Sequence, residues 1–195
     1  FEWQDVVIRA AITLKLNAFD DSGAIVAAVT TSIPEAPASG RTWDYRYCWL
    51  RDAYFVVNVL NRLGATGTMQ RYLNYILNVV ADAGDQPLQP VYGITGEAAL
   101  DESVAPALPG YRHMGPVRIG NGAADQLQLD IYGELIDSVW FYSRNASPID
   151  HDSWVDLSRV VEWLCENWDQ ADEGIWEQRS GRQHYTYSRL MSWVA

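Results

Sequence analysis

The sequence predicts an all-α domain, on three observations. Apolar residues recur at three- and four-residue spacing in six separate segments, which is the helical period. Only one short run, AIVAAV at 24–29, reads as β. The segments are joined by long connections, at 20–49, 84–122, 144–152 and 169–183, and the charged and aromatic residues collect in them.

Taken in order, the first segment places Trp3, Val7, Ala10 or Ala11, and Leu14 on one face. The second carries Phe55, Val56, Val59, Leu60 and Leu63, and Gly64 follows as a helix terminator, because glycine adopts positive φ at no steric cost. The third stripe is Met69, Tyr72, Leu73, Ile76, Leu77 and Val80. The fourth is Leu127, Ile131, Leu135 and Val139. Leu157, Val160, Val161, Leu164 and Trp168 make the fifth, with Ser153 and Asp156 spaced as a capping box at its start. The last runs through YTYSRLMSWVA without a cap, Gly or Pro to stop it, and the first starts almost at residue 1, so truncation at both ends is expected. Connections this long are uncommon in compact helical domains unless they build a site. Helices alternating with such loops point to an α/α toroid whose loops meet at one end. No internal repeat supports a solenoid.

Composition narrows the function. The chain has 195 residues, 48% of them hydrophobic, enough for one domain with a real core. With 14 Lys and Arg against 25 Asp and Glu, the net charge of −11 speaks against a nucleic-acid partner and against docking on an anionic membrane. Cys48 and Cys165 lie far apart, without the spacing of a disulfide framework or a zinc site, which favours a reduced, cytoplasmic compartment. No apolar run reaches membrane-spanning length. His113, His151 and His184 share no i, i+4 relation, so no metal is expected, and no cofactor motif is present. Nine Trp and eleven Tyr are many for a chain this short. They serve as core, or as stacking faces for sugar rings.

The densest motif is RTWDYRYCWLRDAYF at 41–55. Arg51 and Asp52 fit a polar clamp, a carboxylate accepting from neighbouring sugar hydroxyls beside a guanidinium that fixes it or donates further. They fit equally well as a helix-start charge and a surface cation. Tyr45, Tyr47 and Trp49 just ahead tilt the balance toward a walled pocket. Glu177 follows Gly174, Ile175 and Trp176 in a loop. A carboxyl beside Trp and Ile is desolvated and holds its proton to higher pH, which suits a general acid. The alternative is an ordinary exposed loop glutamate. Asp130 and Glu134, one helical turn apart, read either as like-charge crowding or, more simply, as a solvated helix face. Glu97 and Glu102 are equally ambiguous. Gly120 and Gly122 in VRIGNGAAD lack the strand and the Lys-Ser/Thr of a nucleotide loop and instead permit a tight turn. Arg118, beside them, is within reach of a bound ligand.

Four motifs in order, TTSIPE, RTWDYRYCWLRDAYF, PVRIGNGAADQLQLDIYGELID and DEGIWEQRSGRQHYTYSRLMSWVA, closely resemble the glucoamylase-like family, glycoside hydrolase family 15, and most of all its bacterial branch of glucoamylases, glucodextranases and trehalases. The resemblance spans nearly the whole chain. It implies an α/α toroid of six inner and six outer helices and inverting cleavage of α-glucosidic bonds. Glu177 would be the general acid, with Trp176 beside it. Arg51 and Asp52 would hold the terminal glucose, Tyr45 and Trp49 would line its subsite, and Arg118 would contribute from the second long loop. The family's base comes from the second half of the toroid and matches none of Glu97, Asp130 or Glu134. The chain therefore reads as the N-terminal half of the catalytic domain, 1–195, without the β-sandwich domain that precedes it in bacterial members and without the second half of the toroid. The expected substrate is an α-glucan or malto-oligosaccharide, cleaved from its non-reducing end. Two rival readings are trehalose hydrolysis and a non-catalytic glucan-binding or regulatory module.

Overall fold

The computed structural model describes residues 2–195 and is built from six α-helices. They are α1 (Gln4–Leu16), α2 (Leu50–Arg62), α3 (Thr66–Ala83), α4 (Asp130–Asn145), α5 (His151–Asn167) and α6 (Thr186–Val194). Four two-residue strands interrupt the loops. Strand β1 (Cys48–Trp49) pairs antiparallel with β2 (Val91–Tyr92), and β3 (Ser103–Val104) with β4 (Arg118–Ile119). The architecture is that of part of an α/α toroid.

The six helices fall on the six periodic segments. α3 and α5 bury the apolar positions their spacing marks out, including Leu73, Ile76 and Val80 on α3 and Leu157, Val160 and Leu164 on α5. Trp168 lies past the end of α5 and is exposed. On α1, Val7, Ala11 and Leu14 are half-buried, while Trp3 and Ala10 are exposed. α2 overturns the expected stripe. Its buried residues are Leu50, Ala53, Val57 and Leu60, while Phe55, Val59 and Leu63 stand in solvent. Both faces of this helix carry apolar residues, and contact with α3 and α4 selects the first. Gly64 follows α2 with φ +87° and donates to the carbonyl of Asn61, the expected termination.

Two further expectations are corrected at element boundaries. α5 is capped not by Ser153 but by Asp150, whose carboxylate accepts from the Ser153 N–H at 2.8 Å. The β-like run 24–29 is not a strand. Ala24, Ile25 and Val26 are buried, Ile25 makes one isolated bridge to Ala18, and Ala27 and Ala28 donate to the carbonyls of Tyr47 and Tyr45. The run is apolar because it lies against the core.

Leu127 is not helical either. The segment leaves the short 3-10 turn at Gln126 in extended backbone and is helical from Leu129, and QLQLD alternates with a period of two. Leu127 and Leu129 enter the main core. Their backbone N–H groups are taken by Glu173 at 2.8 Å and by Asp172 at 2.9 Å, which ties the loop before α6 to the entry of α4. Asp172 also accepts from Ser188 of α6 at 2.7 Å. Gln126, Gln128 and Asp130 alternate with these leucines.

The main core joins α2, α3, α4 and α5. A second, smaller cluster of Trp49, Val91, Leu100, Ala123 and Ala124 lies under the loops, with Tyr45 and Tyr47 packed on it. Asp44 organises these loops. Fully buried, it receives Arg46 through both oxygens, at 2.9 and 2.8 Å, and the N–H of Gly120 at 3.3 Å. Gly120 has φ +83°, and a Cβ there would sit 2.0 Å from the carbonyl oxygen of Asp101. This is the tight turn that its glycine permits.

Candidate active site

The loops enclose a cleft of about 840 Å³. Its lining includes Tyr45, Trp49, Arg51, Asp52, Trp176 and Glu177, so six of the seven residues marked in the sequence converge, from segments more than 120 positions apart. β1 and the start of α2 supply Trp49, Arg51 and Asp52, and the loop before α6 supplies Trp176 and Glu177.

Glu177 is held at one oxygen. Its Oε1 accepts from the Trp49 indole at 2.6 Å, from Arg51 Nη2 at 3.2 Å and, more weakly, from Gln128 Nε2 at 3.4 Å. Among the described residues no donor reaches Oε2. The proton of the neutral acid therefore belongs on Oε2, the oxygen free to meet a ligand. Burial raises the carboxyl above its ordinary value, opposed by Arg51 and by the bonds from Gln128 and Trp49. The backbone of Glu177 sits at φ +52°, a left-handed conformation that costs a side-chain-bearing residue about 1 kcal/mol. It is kept there by its N–H to the Gly174 carbonyl at 3.1 Å and by Gln126, which donates to its carbonyl at 3.3 Å. Unfavourable backbone retained in a cleft is common where a side chain has to be aimed.

Arg51 is the hub. Nη1 donates to Gln128 Oε1 at 2.7 Å and Asp130 Oδ2 at 3.0 Å, while Nη2 reaches Glu177. Its Nε and one Nη2 hydrogen have no partner among the described residues. Asp52 lines the cleft as an exposed side chain that no described side chain donates to, so it can accept from a ligand. Tyr45 and Trp49 stand with ring centroids 6.0 Å apart, tilted by 50°, and offer two faces to one wall. Tyr47 is not in the lining. Its hydroxyl accepts from the Gly120 N–H at 3.1 Å beneath the site.

Two expectations are modified. Trp176 is 77% exposed, so it forms the rim and does not shield the acid. Buried Trp49 and Gln128, both bonded to Glu177 Oε1, do so instead. Arg118 is not in the lining. It is paired with Glu102 at 2.8 Å and lies 5.0 Å over the ring of Trp43. Arg179 stacks on the same ring at 4.1 Å and pairs with the same carboxylate at 2.8 Å. Trp43, whose indole donates to Glu35 at 2.9 Å, and Arg179 are wall residues that the motif reading passed over. So is Gln126, with Gln128 buried behind the wall and bonded to Arg51 and Glu177, although the polar–apolar alternation of QLQLD is visible in the sequence and marks a one-sided segment.

Asp130 and Glu134 depart furthest from the solvated helix face expected of them, since both are fully buried. Glu134 accepts from the Tyr187 hydroxyl at 2.9 Å, and burial, reinforced by neighbouring Asp130, pushes its carboxyl up to about 8. Among the described residues, no cluster of three or more His, Cys, Asp or Glu side chains is arranged to hold a metal ion, and no helix is long and apolar enough to cross a membrane.

The chain is 40% identical to a trehalase of Mycobacterium tuberculosis and 42% identical to one of Mycolicibacterium smegmatis, each match covering 99% of this chain and 29% of the relative. It is 37% identical to trehalase 1 of Sulfolobus acidocaldarius, over 98% of this chain and 35% of that protein. The chain thus spans about a third of the length of these curated relatives. No solved structure matches it significantly. The sequence model of the family described as "Glycosyl hydrolases family 15" matches residues 3–195, and the chain belongs to that family.

Proposed function

We propose that the protein is an inverting α-glucoside hydrolase acting on α,α-trehalose, with Glu177 as its general acid. One glucose ring lies against Tyr45 and Trp49, its hydroxyls donating to Asp52 and accepting from the free hydrogens of Arg51. The second ring extends toward the rim at Trp43, Trp176 and Arg179. Glu177 gives the Oε2 proton to the glycosidic oxygen as the C1–O bond breaks. Water adds to C1 from the opposite face and loses a proton to a carboxylate roughly 6.5–9.5 Å from the acid. As the family resemblance implies, that base comes from outside residues 1–195, in the other half of the toroid.

The observation that carries the reading is the one-sided clamp on Glu177, a cleft-lining residue whose Oε1 takes three donors while none among the described residues reaches Oε2. The expectation of glucose release from glucan chains yields to trehalose because the relatives named above are trehalases. Initial rates of the full-length protein on trehalose, maltose and isomaltose test it, and trehalose should be fastest. Inversion should release α- and β-glucose in equal amounts, read by proton NMR before mutarotation. Release of α-glucose alone would overturn inversion, and binding of trehalose without product would favour a non-catalytic module.

A further inference from the structure

We propose that Asp130 is a positioning residue for the acid, dividing the guanidinium of Arg51 between itself and Glu177 so that Arg51 orients Glu177 without binding it as a full ion pair. The inference rests on the role given to Glu177 above.

A general acid must hold its proton until the transition state, and a cation in contact works against this. An arginine free to face Glu177 would form a two-bonded pair with it. Here it does not. Only Nη2 reaches Glu177, at 3.2 Å, while Nη1 is held by Asp130 at 3.0 Å and by Gln128 at 2.7 Å. Asp130 is fully buried and its Oδ1 has no partner, so Arg51 is its counter-charge. Burial raises the Asp130 carboxyl above its ordinary value, opposed by contact with Arg51 and by its place as the first residue of α4, where unpaired backbone N–H groups favour an anion. Glu134, one turn further along, has no such support and takes the neutral form instead.

Among the described residues Arg51 is the one cation paired with Asp130 or Glu177, while Arg41 and Arg179, which line the same cleft, pair with Glu35 and Glu102. Asp130 faces Arg51 from α2, Glu134 from its own helix and Asp172 from the loop before α6, with Tyr187 of α6 bonded to Glu134. Glu177 faces Arg51 and Asp52 from α2, Trp49 from β1, Gln128, and Tyr45 across the cleft.

Two substitutions move Glu177 in opposite directions. Asp130→Asn leaves Arg51 wholly to Glu177 and should lower the titration midpoint of Glu177 by about one pH unit. The basic limb of kcat/KM should follow it downward. Trp49→Phe removes a donor to Oε1 and should raise the midpoint. The full-length protein, 13C-labelled at Asp and Glu carboxyls, reports the midpoint directly, with the Glu177 signal assigned by its loss in Glu177→Gln. This readout needs no turnover, so failure of the hydrolase reading stays separate from failure of this one. A folded Asp130→Asn variant with an unmoved midpoint would overturn the proposal, because a purely structural role changes rate without moving the titration. Should that variant not fold, Glu177→Gln supplies the reciprocal test. It returns Arg51 to Asp130, whose own midpoint should then fall, and an unchanged Asp130 midpoint would likewise overturn the proposal.

Discussion

The indole nitrogen of Trp49 lies 2.6 Å from Oε1 of Glu177, across 128 positions of sequence. Together with Arg51 it saturates that oxygen and leaves the other to act. Glu177→Gln keeps the shape and the accepting oxygen but removes the transferable proton. Turnover of the full-length protein on trehalose should fall by about 10²–10⁴-fold with binding largely retained. Steady-state rates and calorimetric titration check this, and wild-type turnover would sink the assignment.

The acid also sets a pH limit. Burial raises the Glu177 carboxyl above its ordinary value of 4.5, and only the protonated form can act. The value of kcat/KM should therefore hold through the ordinary glutamate range and fall as pH rises past the raised Glu177 value. A profile already falling at the ordinary value would show that Arg51 outweighs burial.

Glu134 couples protonation to stability. Its folded value of about 8 exceeds the ordinary 4.5, so between the two the native state binds more protons than the unfolded state. Stability present below the lower value is then lost as pH rises through the upper one. Glu134→Gln fixes the neutral form. Its melting temperature should depend less on pH between 5 and 8 than the wild type's, and its relative stability should be highest at the alkaline end.

Gly133 lies in the interior of α4, where alanine would add about 1 kcal/mol of helix propensity. A Cβ there would stand 2.1 Å from the carbonyl oxygen of Met191 on α6, a backbone atom that cannot rotate away. Overpacking costs about 1–3 kcal/mol and should win. Gly133→Ala should lower the melting temperature by several degrees, and a rise would show that α6 can shift.

Much of the site was legible in the sequence because its motifs are short and contiguous. Trp49, Arg51 and Asp52 sit within four positions, and Trp176 adjoins Glu177. Arg118 and Trp176 also lie in recognisable motifs, but their placement depends on surroundings far away in the chain, Glu102 and Trp43 for one and open solvent for the other. The polar residues of QLQLD went unread because their period is two where the flanking helix has 3.6.

The sequence by itself determined the all-α class, the six helical segments and six of the residues that meet in the cleft, because periodicity and local motifs are properties of neighbouring positions. The tertiary structure decided which face of α2 is inside, since both are apolar and only α3 and α4 choose between them. It also decided that Asp130 and Glu134 are buried and not solvated, and that one guanidinium is shared between two carboxylates. Burial and charge sharing are relations between elements far apart in the chain, and they exist only once the core has closed.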